Sequence, residues 1–168
     1  SRATAAIVQL SRASGSVVRS LSLQVPMHWM QTAAAAEQLA CYWASWAAEP
    51  GCIGLTDCQA TISCFQHQAA VAASHGRPWA GLWRENEGGI HQLLKVKAHR
   101  SESAMRAEAS ALAGCDEDSE LYAEEVYRWR CNQAADEVAR ARAEAALPPQ
   151  QWRQMEEAAV RGNINVAS

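Results

Sequence analysis

Apolar and polar positions change their spacing several times along this chain, and each change marks an element. Leu21, Leu23 and Val25 alternate with Ser20, Ser22 and Gln24, the period of two that belongs to a half-buried strand. Residues 3–10 read as a strand too, and the turn over 11–16 around Gly15 makes the pair a hairpin. Pro26, with no amide hydrogen to give a ladder, stops the pairing. A helix is predicted over 32–48, closed by Glu49-Pro50-Gly51. On it Leu39, Trp43 and Trp46 make an apolar stripe, roughly opposite a small-residue face of Glu37, Ala40, Cys41 and Ala44. One face is expected to meet a sheet and the other to take a second helix.

The apolar run over 52–57 reads as a buried strand that carries Asp57 to its tip, and a helix over 58–73 follows. After a loop at 74–78, a short helix is expected over 79–87 with Trp79, Leu82 and Trp83 inward, ended by Gly88-Gly89. The next strand covers 90–97, where Leu94, Val96 and Ala98 alternate with Leu93, Lys95 and Lys97, and it leads to His99. Residues 101–129 are rich in alanine and acids and predict two helices broken at Gly114-Cys115-Asp116. A final helix over 131–147, Pro148-Pro149 and an amphipathic tail through Arg161 complete an α/β pattern without internal repeats.

A length of 168 residues fits a single domain with a full core. The apolar fraction is 49%, yet no run approaches the roughly 18 consecutive apolar residues of a membrane span. Nothing resembles a signal peptide, so an intracellular, unsecreted protein is expected, in nucleus or cytoplasm. The first residue is Ser1 rather than Met, which suggests a piece of something longer. The six cysteines form no CxxC pair and read as reduced, packed thiols. A zinc site from Cys52, Cys58, Cys64 and His67 is conceivable, but the spacing is not that of known structural sites. The net charge of −3 argues against a generally adhesive nucleic-acid binder. It leaves room for an acidic centre beside a separate basic strip of Lys95, Lys97, His99, Arg100, Arg128, Arg130, Arg140 and Arg142.

Three acids stand out against this background. Asp57 can cap the following helix, or it can present a carboxylate where open α/β sheets collect their chemistry. Glu37 lies on the small-residue face of its helix, and Asp136 shares a stripe with Asn132, Ala139 and Ala143. An acid on a packing stripe is costly unless it is paired or metal-bound.

Taken together, these residues resemble the ribonuclease H domains, most closely those attached to retrotransposon reverse transcriptases. The resemblance rests on Gln31-Thr32, the alanines at 33–36 and Glu37 opening one helix, and on Thr56-Asp57-Cys58-Gln59 ending a strand. Val96-Lys97-Ala98-His99 ends another strand, and Asn132 precedes Asp136 by one turn in a late helix. These motifs fall in the family's order over residues 5–146. The fold so implied is a ribonuclease H-like mixed sheet flanked by helices, one domain over 1–168, with a helical insertion over 100–130 before the last catalytic helix and a C-terminal helix and tail over 148–168. The implied activity is hydrolysis of the RNA strand of an RNA–DNA hybrid, within a larger reverse transcriptase polyprotein.

By that resemblance Glu37, Asp57 and Asp136 would hold Mg²⁺ or Mn²⁺, and His99 would assist proton transfer or product departure, a role its near-neutral pKa suits. Glu37 would serve the leaving-group side and Asp57 the attacking side. Thr32, Gln59, Lys97 and Asn132 would face the hybrid, with Gln59 and Asn132 as donors to its backbone or 2′-hydroxyls. Two features depart from the family pattern. The family opens with a strand ending in a metal-bridging Asp, and no Asp precedes Asp57 here. That strand is expected upstream of Ser1; failing that, the domain is a catalytically inactive structural or interaction module. The long helical excursion between His99 and Asp136 is the other departure, and it reads as a substrate handle, a docking surface or a solvated insertion whose acids make it a poor phosphate binder. A transposase or integrase relative fits less well, because the acid-bearing helix comes before the Asp57 strand.

Overall fold

Among the described residues, the first two strands pair with each other and with no third strand. In the computed structural model, which describes residues 3–71, 74, 76, 79–84 and 88–146, β1 (Thr4–Leu10) runs antiparallel to β2 (Val17–Gln24) with Ala5 opposite Leu23 and Ile7 opposite Leu21. Gly15 takes φ +67° in the connecting turn, a region open to glycine without strain. Ala5 and Val25 are buried against Ala35, Ala36 and Leu39 of α1 (Ala33–Ala47). Ala35 and Ala36 let helix and strand approach closely, and Leu39 joins them in the core instead of lying on the outer stripe where the sequence placed it.

The second sheet is formed by β3 (Cys52–Thr56) and β4 (Ile90–Lys95), which run parallel, and one further bond from Val96 N to Thr56 O (2.9 Å) extends the ladder. A parallel pair needs a crossover, here α2 (Gln59–Val71) and the short α3 (Ala80–Arg84). Cys41, Ile62, Trp83 and Leu93 form the core beneath it. Leu93, placed by the alternation opposite Leu94 and Val96, is buried as is Val96, because it packs on Cys41, Ile62 and Trp83. At the other end of the sheet Gly89 N donates to Ser45 O (2.8 Å), while Gly51 N and Cys52 N donate to Gly89 O. A Cβ on Gly89 would lie 2.1 Å from the Ala48 carbonyl oxygen, so backbone meets backbone at this seam.

Helices α4 (Glu102–Leu112) and α5 (Glu120–Ala145) form a hairpin around Met105, Ala109 and Tyr122. Ser101 and Ser119 cap their first turns, and the break falls at Gly114 and Cys115, both left-handed. The expected boundary near residue 130 does not exist: the second helix of the excursion and the helix of Asp136 are one continuous helix. That helix runs opposite to β1, since Tyr127 Oη donates to Leu10 O (3.1 Å) and Thr4 Oγ1 to Ala139 O (2.9 Å).

Both α1 and α5 touch β1 and β3, yet among the described residues the sheets remain separate, each of two strands. Consequently β3 is not the buried strand that its apolar run predicted: Ile53 is 58% exposed. The outer stripe of α1 also differs from expectation, for Trp43 and Trp46 are 42% and 56% exposed. They pack on Tyr42 edge to face rather than under a second helix. Among the described residues no helix is long and apolar enough to cross a membrane. The expected helix and tail over 148–168, and residues 85–87 of the expected 79–87 helix, lie outside the described residues.

Candidate functional site

Thr56, the last residue of β3, sits at the centre of the acidic cluster. Its hydroxyl donates to Glu37 Oε2 at 2.8 Å and accepts from Cys58 N at 3.1 Å. One side chain therefore ties α1 to the strand tip and to the backbone just before α2. Asp57 follows directly, half-buried, with its carbonyl accepting from Lys95 Nζ at 3.4 Å.

Burial is the main force raising the Glu37 carboxyl above its ordinary value; the Thr56 hydrogen bond opposes it, and the charges of Asp57 and Asp136 add to it. Asp136 is raised likewise, first by burial and then by Asp57, while His99 and Arg140 pull it down. Each effect requires proximity, so a helix, a strand tip, a loop and a late helix bring Glu37, Asp57, His99 and Asp136 into one electrostatic field. The donor set suits a hard, oxygen-preferring cation such as Mg²⁺, and three carboxylates in one field favour positive charge there. They do not share one coordination sphere as placed: among the described residues no group of three or more His, Cys, Asp or Glu side chains is arranged to hold a metal ion. The same holds for the considered zinc ligands, of which Cys52, Cys58 and Cys64 form no disulfide and the His67 side chain lies outside the described residues.

The residues expected to face a hybrid are distributed unevenly. Thr32 is engaged as the N-cap of α1, its Oγ1 accepting from Ala35 N (3.2 Å). Gln59 is exposed at the start of α2 and, with Lys95, borders an open groove of about 510 Å³ between α2 and β4. Asn132 lies one turn before Asp136 on α5, with its Nδ2 buried and unpartnered, an amide able to receive a further acceptor. Lys97 is already paired: its Nζ meets Glu108 Oε2 at 2.6 Å, and Arg100 Nη1 reaches the same oxygen at 2.9 Å. Arg128 is held by Glu124 (2.9 Å) and Glu125 (3.6 Å). The basic strip is thus partly neutralised by acids of α4 and α5, the segment read as an insertion.

Burial pushes the Cys41 thiol up to about 12, which keeps it protonated and inert. Cys52 and Cys115, in contrast to the expected packed thiols, are exposed. Sequence reasoning passed over three structural partners of the site: Thr56 as a hydrogen-bond donor, Arg100 as an anchor, and Gln38, whose buried amide joins Trp83 Nε1 (2.7 Å) to Thr61 Oγ1 (3.1 Å). Comparison with protein-family models, curated proteins and solved structures gives no significant match for this chain.

Proposed function

We propose that this chain is the ribonuclease H-type portion of a reverse transcriptase-like polyprotein, an endonuclease for the RNA strand of RNA–DNA hybrids. The observation that carries the reading is the shared field of Glu37, Asp57 and Asp136, each from a different element, with His99 beside them. Paired Mg²⁺ ions, when bound, supply an activated water and stabilise both the attacking and leaving oxygens. Glu37, Asp57 and Asp136 would hold the ions once drawn together, and the Thr56 hydroxyl ties Glu37 to the strand tip. His99 is exposed on its loop and can pass a proton between the cluster and solvent. Gln59 is exposed and offers an amide donor to 2′-hydroxyls, the groups that separate RNA from DNA.

The family's opening strand has a natural position in this reading. A strand between β1 and β3 would use the unpaired edge of each, cover the exposed side of β3, and join both sheets into one. Its C-terminal tip would bring a further Asp to the cluster. The second reading, a non-catalytic interaction module, is favoured by the pairing of Lys97 and Arg100 with Glu108, which leaves less positive charge for phosphates.

The test is hydrolysis of an end-labelled RNA–DNA hybrid by a chain extended upstream through an Asp-bearing strand, with its folding followed by circular dichroism. Mg²⁺-dependent cleavage of the RNA strand, abolished by Asp57→Asn, supports the nuclease. A folded extended chain that cuts nothing, or an upstream sequence without such an acid, establishes the module.

A further inference from the structure

His99 has φ +50°, a left-handed conformation that residues with a side chain rarely adopt and that persists only where the surroundings impose it. It is exposed, so its own packing does not impose it. The next residue is held from two sides. The Arg100 side chain is 9% exposed, with Nη1 at 2.9 Å from Glu108 of α4 and Nη2 at 3.8 Å from Glu125 of α5. The Arg100 carbonyl accepts from Trp129 Nε1 at 3.0 Å. Ser101 then starts α4, its Oγ accepting from Ala104 N and its carbonyl from Met105 N.

Glu125, Trp129, Asn132 and Asp136 fall at i, i+4, i+7 and i+11 of a single helix, so they form one stripe. The stripe that grips Arg100 at its N-terminal end presents Asp136 at the other. We propose that Arg100 is a positioning residue: clamped between α4 and α5, it holds the left-handed loop that keeps His99 beside Asp136. The helical excursion is then a brace for the site rather than a substrate handle. The role in turnover rests on the nuclease reading above, whereas the clamp itself does not.

The two are separated by two measurements on Arg100→Ala, Arg100→Lys and, as a control, Arg106→Ala, whose exposed guanidinium pairs with Glu102. In the folded chain, NMR follows solvent exchange of the Trp129 indole N–H and relaxation at residues 97–100. Arg100→Ala should speed the exchange and mobilise His99, Arg100→Lys should restore part of both, and Arg106→Ala should change neither. Unchanged exchange and relaxation in a folded Arg100→Ala variant overturn the clamp, and Glu125→Gln serves as the milder variant should Arg100→Ala not fold. On a hybrid substrate, in the chain extended upstream through an Asp-bearing strand, Arg100→Ala should lower kcat by roughly 10-fold to 100-fold, the range typical of groups that orient a site, with KM unchanged. His99→Ala added to it should cost little more. A mobilised His99 with unchanged kcat, or additive losses, overturns the positioning role. A folded chain extended upstream through an Asp-bearing strand that cuts nothing refutes the nuclease reading, while the NMR result still decides the clamp.

Discussion

Thr56 Oγ1 lies 2.8 Å from Glu37 Oε2, and this hydrogen bond links the strand that leads to Asp57 directly to the helix that carries Glu37. The hydroxyl favours the ionised carboxylate against a burial effect that opposes it. Thr56→Val should therefore raise the Glu37 pKa further and destabilise the fold at pH 7 by about 1–3 kcal/mol, the range for a hydrogen bond to a charged group. Thr56→Ser should retain most of the stability. Urea denaturation checks both, and the Val penalty should shrink in acid, where Glu37 is protonated.

The raised carboxyls have a definite sign in the pH dependence of stability. A folded-state pKa above the unfolded value means the folded chain binds protons more tightly; the resulting stabilisation is complete below the unfolded pKa and is lost as pH rises through the folded one. Asp136→Asn and Glu37→Gln should therefore stabilise the metal-free chain at pH 7, with the gain fading toward pH ~4, the unperturbed carboxyl range. Thermal unfolding across that range measures it. A destabilised Asp136→Asn at pH 7 would show that the acids do not repel.

Millimolar Mn²⁺ or Mg²⁺ should raise the melting temperature of the wild-type chain, because an ion bound only by the folded state stabilises it by mass action. The same addition should leave Asp57→Asn nearly unchanged, and removal of the ion with EDTA should reverse the shift. No shift in the wild type would count against a competent cation site.

Two glycines give opposite expectations. Gly89→Ala would drive a Cβ to 2.1 Å from the Ala48 carbonyl oxygen, where only backbone can yield, and it should cost about 3 kcal/mol or more. Gly81 lies in α3 with no atom within 4 Å of the added Cβ, so Gly81→Ala should gain roughly 0.5–1 kcal/mol from the stiffer unfolded chain. Denaturant midpoints of the two variants decide it.

Glu108 neutralises Lys97 and also holds Arg100. Glu108→Gln should consequently tighten hybrid binding and steepen the logarithmic salt dependence by roughly one phosphate contact, while turnover falls as Arg100 loosens. Binding isotherms at several salt concentrations, beside kcat, separate the two effects.

Local pattern carried much of this architecture. The hairpin, both parallel strands, the capped helix from residue 33 and the break at Gly114-Cys115 follow from period, turn chemistry and caps, which act between residues near in sequence. The residue types at Glu37, Asp57 and Asp136 marked three elements for convergence; their charges act on one another, but among the described residues they do not form a metal-holding group. The stripe through Asn132 and Asp136 also held the anchor, but reading it only from residue 131 onward left out Trp129 and Glu125.

What neighbours arrive from elsewhere was decided by tertiary structure alone. An alternating or apolar run states that a surface can be buried and does not state what covers it, so Trp43, Trp46 and Ile53 were assigned to the interior and stand exposed. A lysine beside the site is a phosphate ligand by charge, yet its first partner is the acid that folding places nearest, and α4 brings Glu108 to Lys97. The helical excursion read as a solvated insertion, and its acids as poor phosphate binders. Only the packing of α4 on α5 turns two of those acids inward, onto Arg100, because ion pairing depends on distance in space and not on separation along the chain.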